Sequence, residues 1–283
     1  MIVWDLTSRE RREKIHPFKH PSHIEWSPRG DLLAVKSTSG NLVLVNLDGD
    51  TNEPLWLRKR GREGCEVAFS ACGNFLVDGN WDGQLEVFDI RSGEIAYSES
   101  ITHVMLTSLA YSRSRSHFAY VGSPKATSQT LPSEPDYLSV RKWPFWEHQP
   151  VVLPIRLQNI EAIAFSPDEQ LLVVAASGPG RESARLQVHN LESGTVIAEA
   201  GYNFYASGKS IAWCPRDNVI ASVEQGGVRL YDSSLCRSLA FLPVEYPSHV
   251  EFSSSGTHLG VGAWGRGFVC LLDEALSNGA QDA

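Results

Sequence analysis

Long apolar runs are absent from this sequence. The chain has 283 residues, of which 42% are hydrophobic, yet no stretch approaches the roughly 18 apolar residues that a membrane-spanning helix needs. The first residues also lack the basic, apolar and small-residue segments of a secretory signal. These absences predict a cytoplasmic protein without membrane insertion, and the length allows a large buried core.

Basic charge and paired cysteines are also scarce. Lys and Arg number 25 against 33 Asp and Glu, which leaves a formal net charge of −8. Because nucleic-acid binding needs a concentrated basic surface, this balance predicts no nucleic-acid partner. The five cysteines include no C-x-x-C pair, which is typical of free thiols in a reducing compartment.

Signatures of catalysis and metal binding are missing as well. The sequence contains no H-E-x-x-H, no G-x-S-x-G and no nucleophilic cysteine motif. His16, His20 and His23 have a spacing that would align them on a helix, but Pro17 and Pro21 interrupt any such helix. We therefore predict a protein that is not an enzyme, with no catalytic residues, no metal and no cofactor.

What the sequence does contain is a repeat. A short strand of the form aliphatic, any residue, aromatic occurs six times, and successive aromatics are 43, 42, 54, 48 and 39 residues apart. Ser or Cys follows each aromatic, and then come a turn, an apolar second strand, a third strand and a weaker fourth strand. The six aliphatic and aromatic pairs are Ile24/Trp26, Val67/Phe69, Leu109/Tyr111, Ile163/Phe165, Ile211/Trp213 and Val250/Phe252.

The repeat predicts one small antiparallel sheet per unit. Residues two apart in a strand share a face, and the residue between aliphatic and aromatic is Ala in four units, which lets a neighbouring sheet approach closely. One such sheet leaves a face uncovered, whereas a ring of similar sheets buries both faces. No segment has the periodicity of a long amphipathic helix. The predicted fold class is all-β, a β-propeller of four-stranded antiparallel blades.

The ends of the third strands point to a family. Trp4-Asp5, Phe88-Asp89 and Tyr231-Asp232 end such strands, and aromatic-Ser-Pro turns follow two of the first strands. In these residues the sequence resembles the WD40 family of β-propellers over essentially the whole chain. The family's Gly-His before the first strand is missing almost everywhere. The resemblance implies a non-catalytic scaffold that binds partner proteins, without a specific subfamily.

Six first strands predict six blades in a single domain over residues 1–283. The predicted blades cover residues 22–58, 64–100, 104–156, 159–203, 208–245 and 247–273. The last unit has no clear fourth strand, so we expect a segment within residues 1–18 to add this strand and close the ring. Because third strands number seven, the alternative is a fragment of a longer, seven-bladed propeller.

The predicted binding surface is a loop face. The resemblance places on one face the loops between second and third strands and those between blades. Aromatic and arginine side chains, which dominate binding hot spots, are frequent in these loops. The partner-binding candidates are Arg58, Arg60, Arg62, Trp81, Tyr202, Phe204, Tyr205 and Trp264. The alternatives are aromatics that fill gaps between blades, a solvated basic loop, and a second patch at Trp143, Phe145 and Trp146.

Two acidic residues occupy the small-residue position of first strands. Glu25 and Glu251 belong to the first and last of these strands and would become neighbours at the central channel when the ring closes. We expect each carboxylate to pair with a neighbouring basic residue or with channel water. The alternative function is an enzyme or small-ligand-binding propeller, whose site at the channel mouth would use Glu25, Glu251 and His103.

Overall fold

The chain forms two compact units, residues 1–107 and 108–283. The computed structural model describes residues 2–5, 8, 10–14, 20–47, 54–58, 64, 66–125, 135–177, 184–201 and 210–279. Its sheets confirm the predicted fold class, an all-β propeller of six antiparallel blades. Five of these blades have four strands each, and the last has three in the described residues.

The first unit contains a hairpin and two blades. The hairpin pairs β1 (Ile2–Asp5) with β2 (Glu10–Lys14). Blade 1 consists of β3 (Pro21–Trp26), β4 (Leu32–Ser37), β5 (Leu42–Asn46) and β6 (Pro54–Arg58). Blade 2 consists of β7 (Val67–Phe69), β8 (Phe75–Gly79), β9 (Gln84–Asp89) and β10 (Ile95–Ser100).

The other four blades follow in chain order. Blade 3 consists of β11 (Val104–Tyr111), β12 (His117–Pro124), β13 (Tyr137–Lys142) and β14 (Val151–Leu153), with a 3-10 helix at Phe145–Glu147. Blade 4 consists of β15 (Ile160–Phe165), β16 (Leu171–Ala176), β17 (Arg185–Asn190) and β18 (Val196–Gly201). Blade 5 consists of β19 (Ile211–Trp213), β20 (Val219–Glu224), β21 (Gly227–Asp232) and β22 (Ser238–Pro243). Blade 6 consists of β23 (Pro247–Phe252), β24 (His258–Ala263) and β25 (Arg266–Leu271), and helix α1 (Leu272–Gly279) follows.

In five of the six blades a serine follows the first-strand aromatic, and this serine has a local role. Its hydroxyl oxygen accepts the backbone N–H of the residue five positions later, where the second strand begins, and so holds the turn between the two strands. The pairs, each with its N–H donor first and its serine acceptor second, are Leu32 and Ser27 (3.0 Å), Phe75 and Ser70 (3.1 Å), His117 and Ser112 (3.1 Å), Leu171 and Ser166 (2.9 Å), and His258 and Ser253 (3.1 Å). This contact explains why the aromatic-Ser pair marks the repeat.

The apolar core lies between successive sheets. In the first unit, Leu44 of blade 1 packs with Phe69 and Phe88 of blade 2. In the second unit, Leu230 of blade 5 packs with Phe252 of blade 6. Within each unit, neighbouring blades therefore bury apolar faces against each other, as the repeat predicted.

The predicted closure by residues 1–18 is wrong for the residues that the structure describes. Strand β1 pairs with β2 instead of adding a fourth strand to blade 6. The backbone N–H of Ser8 donates to Asp5 Oδ1 over 3.0 Å, which turns the chain back on itself. Val3 packs against the apolar cluster of blade 1, which contains Leu33 and Val35. The segment thus satisfies its own hydrogen bonds locally.

Helix α1 was not predicted from the sequence. It follows β25 directly, and its Leu272, Ala275 and Leu276 belong to the core cluster of blades 5 and 6. These residues have the i, i+3, i+4 spacing of a helix face. Eight residues are too few to establish that period in the sequence.

Candidate functional site

The most exposed aromatic side chain of the described chain lies at one end of blade 6. We define the blade 6 tip as residues 245–247 and 263–268. Within it, Trp264 is 87% exposed, Tyr246 is 64% exposed and Phe268 is 41% exposed. Large aromatic side chains are usually mostly buried, so three exposed ones at the end of one sheet form a candidate contact surface.

The backbone of the blade 6 tip holds these side chains outwards. Trp264 and Gly265 form the two-residue connection between β24 and β25, which ends in the register pair Ala263 and Arg266. Gly265 has a φ of 80°, a left-handed conformation that glycine adopts without steric cost. The N–H of Trp264 donates to the carbonyl oxygen of Tyr246 over 3.1 Å. The indole therefore sits on a hairpin apex whose backbone is tied to the neighbouring loop.

A cation lies among the aromatics of the blade 6 tip. The Arg266 guanidinium carbon is 5.1 Å from the centre of the Phe268 ring, a cation–π distance. Its Nη2 is also 3.3 Å from Glu245 Oε2. Tyr246 itself has a φ of 50°, which is uncommon for a bulky residue. Exposed aromatics around an arginine are the chemistry of a protein-binding hot spot.

Trp81 occupies a similar turn in the first unit. It follows Asn80, whose side-chain oxygen accepts the N–H groups of Asp82 over 2.9 Å and of Gln84 over 3.1 Å. This side chain closes the turn between β8 and β9 and leaves the Trp81 side chain 40% exposed. The exposure of Trp81 and Trp264 agrees with the turn pattern in the sequence, and their binding to a partner stays a prediction.

Arg58 is held inside the first unit. Its Nε donates to the Gly93 carbonyl oxygen over 3.0 Å, and its Nη2 bonds to the same oxygen. Nη2 is also 3.5 Å from the Glu94 carboxylate, and the guanidinium carbon is 5.9 Å from the centre of the Phe88 ring. Arg58 thus fastens the outer strand of blade 1 to blade 2. Five other predicted residues lie outside the described chain, namely Arg60, Arg62, Tyr202, Phe204 and Tyr205.

The two acidic candidates lie in different units. Glu25 is half-buried in β3 and faces Ala34 in the register, whereas Glu251 is exposed in β23 and faces Gly260. Their predicted pairing at a central channel stays a prediction.

Within the described ranges, no group of three or more His, Cys, Asp or Glu side chains is arranged to hold a metal ion. The helices that the structure describes include none long and apolar enough to cross a membrane.

The alternative aromatic patch packs partly on itself. Trp143 and Trp146 form an edge-to-face pair with ring centres 5.2 Å apart, and Trp146 remains exposed.

Sequence reasoning missed the contributions of Glu245, Arg266 and Phe268 to the blade 6 tip. The alternation of Trp264, Arg266 and Phe268 is the signal that points to them, since residues two apart share a face of a strand.

Two comparisons with known proteins find similarity to WD-repeat proteins. Residues 24–114 match the family model of the anaphase-promoting complex subunit 4 WD40 domain. The chain is also similar to the WD repeat-containing protein 55 homolog of Dictyostelium discoideum, with 31% identity over 84 residues. That match covers 29% of this chain and 21% of the relative, so it spans about a fifth of the relative's length.

Solved structures resemble a larger share of the chain. The β-propeller domain of Myceliophteria thermophila Cps50 (Swd1) aligns with a TM-score of 0.66 and 14% identity, over 90% of this chain and 84% of that one. Hydrazine synthase of Kuenenia stuttgartiensis aligns with a TM-score of 0.73 and 16% identity, over 96% of this chain and 82% of that one. At these identities the likeness shows the fold alone.

Proposed function

Because the chain is a WD40-repeat β-propeller without an assigned subfamily, we propose that it is a non-catalytic scaffold that binds partner proteins through the blade 6 tip. The observation that carries this proposal is the 87% exposure of Trp264 on a hairpin apex. Tyr246, Arg266 and Phe268 surround the same end of the blade with further hot-spot residue types.

The energetics favour a partner that covers this surface. An exposed indole offers a large apolar area for burial, and Arg266 next to Phe268 adds a cation that can pair with an acidic or aromatic side chain. Because Glu245 already lies near Arg266, the charge is positioned before binding. Positioned side chains lose little conformational entropy on association, which makes this tip a suitable anchor.

We also place the protein in the cytoplasm. The four cysteines that the structure describes are free thiols, which is typical of a reducing compartment. The alternative catalytic site would require Glu25, Glu251 and His103 at one channel mouth. The exposure of Trp264 is the observation that favours the blade 6 tip over that site.

The test compares two tryptophan variants with the unmodified protein in affinity capture from the native source, followed by titration of the recovered partner. We expect Trp264→Ala to weaken binding by about 2 kcal/mol or more, roughly 30-fold in affinity. Because the Trp264 side chain is largely exposed, its removal should leave the melting temperature nearly unchanged. Trp146→Ala provides a matched control, since it removes a tryptophan of the alternative patch.

Two results would contradict the proposal. One is a partner that binds Trp264→Ala as tightly as the unmodified protein but loses affinity for Trp146→Ala, which would assign binding to the other patch. The other is a Trp264→Ala protein that unfolds, because this would show that the indole stabilises the blade instead of binding a partner.

A further inference from the structure

Blade 6 has an open sheet edge. Each of the other five blades covers its third strand with a fourth, whereas β25 has β24 on one side and, among the described residues, no strand on the other. The chain turns into α1 immediately after Leu271 and so leaves the sheet. An uncovered third strand presents unpaired N–H and C=O groups along its outer side.

Side-chain exposure shows what the missing strand leaves uncovered. Val269 of the third strand pairs with Gly260, in the middle of the second strand of blade 6. In each of the other blades, the third-strand residue at the same position also pairs with the middle of the second strand. Val269 is 51% exposed, whereas its five counterparts are at most 6% exposed. These counterparts are Leu44, Val87, Val140, Val188 and Leu230, and each pairs with a residue of a fourth strand.

Beyond Arg266, the open strand carries no charge, proline or bulge that would protect the sheet edge. Phe268 and Leu271 are also exposed, and residues 267–271 include no charged residue and no proline. The register with β24 runs from Leu271 to Arg266 without a shift, so no bulge twists the edge away. Natural proteins normally protect such edges with charge, proline or bulges, which makes an apolar, regular edge a ready site for strand pairing.

We propose that β25 binds one extended strand of a partner protein, which pairs antiparallel with it as the fourth strand of blade 6. The direction follows from the other blades, in which every fourth strand is antiparallel to the third. This surface runs along the side of the sheet and shares only residues 266–268 with the blade 6 tip, so the proposal goes beyond the contact proposed for Trp264.

The five fourth strands indicate the chemistry of the bound segment. Opposite the central third-strand residue they carry an apolar side chain, namely Trp56, Tyr97, Val151, Ala198 or Ala240. Strand β10, with the sequence IAYSES, alternates this apolar character with polar residues. A second copy of β25 would add another strand with apolar residues on both faces, so a partner strand with one polar face suits the edge better.

The charged residues near the two ends of β25 predict how charge is distributed along the bound strand. Asp273 and Glu274 lie in the first turn of α1, just beyond Leu271, and Arg266 lies at the opposite end of β25. An antiparallel partner begins beside Leu271 and ends beside Arg266. We therefore expect basic residues before the partner strand and an acidic residue at its end.

The probe is a fluorescent peptide, KKIAYSES, which joins two lysines to the sequence of β10. We expect saturable binding to the whole protein, and hydrogen–deuterium exchange should show new protection confined to residues 266–271. The control peptide KKIAPSES should bind at least about tenfold more weakly, because proline removes a donor from the ladder. No saturable binding, or protection elsewhere in the chain, would overturn the proposal.

Variants separate this edge from the tip. Val269→Pro should weaken peptide binding at least about tenfold, whereas Val269→Thr keeps a β-branched residue with its N–H and should bind normally. Trp264→Ala should leave peptide binding unchanged, and a loss there would assign the peptide to the tip. Concentration-dependent dimers that protect residues 266–271 without peptide would replace the partner strand with a second copy. Because the exchange experiment uses the unmodified protein, it decides even if Val269→Pro fails to fold.

Discussion

Replacing Lys36 with methionine should destabilise the protein strongly, because it breaks a completely buried ion pair. Lys36 Nζ lies 2.6 Å from Asp78 Oδ1 and 2.7 Å from the carbonyl oxygen of Gly79. Both side chains are fully buried, and they connect β4 of blade 1 with β8 of blade 2. Gly64 packs so closely that a Cβ there would come within 2.8 Å of Nζ. The backbone around the ammonium group is therefore tightly packed.

The magnitude follows from that burial. Removing one member of a buried ion pair is strongly destabilising and costs about 3–5 kcal/mol. For a protein of this size, 1 kcal/mol lowers the melting temperature by about 2–4 °C, so the expected decrease is roughly 6–20 °C. The double variant Lys36→Met with Asp78→Leu removes both charges and should recover most of the stability.

Urea and thermal unfolding, followed by circular dichroism, measure these changes. Lys142→Met is the matched control, because Lys142 is exposed at the end of β13 and its loss should change stability by less than about 0.5 kcal/mol. The reasoning is refuted if Lys36→Met costs less than about 1 kcal/mol. It is equally refuted if the double variant is less stable than Lys36→Met alone.

Two further substitutions test the blades of the second unit. Burial opposes ionisation of Glu169, but hydrogen bonds from Ser114, Ser116 and His117 outweigh it and lower the pKa of this carboxyl to about 2. The contribution of Glu169 to stability is therefore present above the unfolded pKa of about 4.5 and is lost as the pH falls towards 2. Urea unfolding across this pH range should therefore show a flatter pH dependence for Glu169→Gln than for the unmodified protein. Leu272→Ala removes a fully buried side chain of α1 and should cost about 2–5 kcal/mol in urea unfolding; a cost similar to that of an exposed Ser277→Ala change would show that α1 does not stabilise blade 6.

Parts of the candidate site follow from local sequence. The exposure of Trp264 follows from a hairpin connection that contains Gly265, and that of Trp81 from a turn closed by Asn80. Both turns use residues within four positions of one another, so their signal is present in the sequence. Arg58 was predicted for the same surface, yet it bonds to Gly93, 35 residues away. Its binding partner there is a carbonyl oxygen, which carries no sequence signal.

The sequence by itself determined the six repeating units, because aliphatic and aromatic residues two apart define a strand face and the following Ser holds the next turn within five residues. Tertiary structure alone decided how distant segments meet. It paired Lys36 with Asp78 across 42 positions and left the edge of β25 uncovered. Such outcomes depend on which surfaces compete for burial and backbone pairing once the blades have formed, and no local pattern encodes that competition.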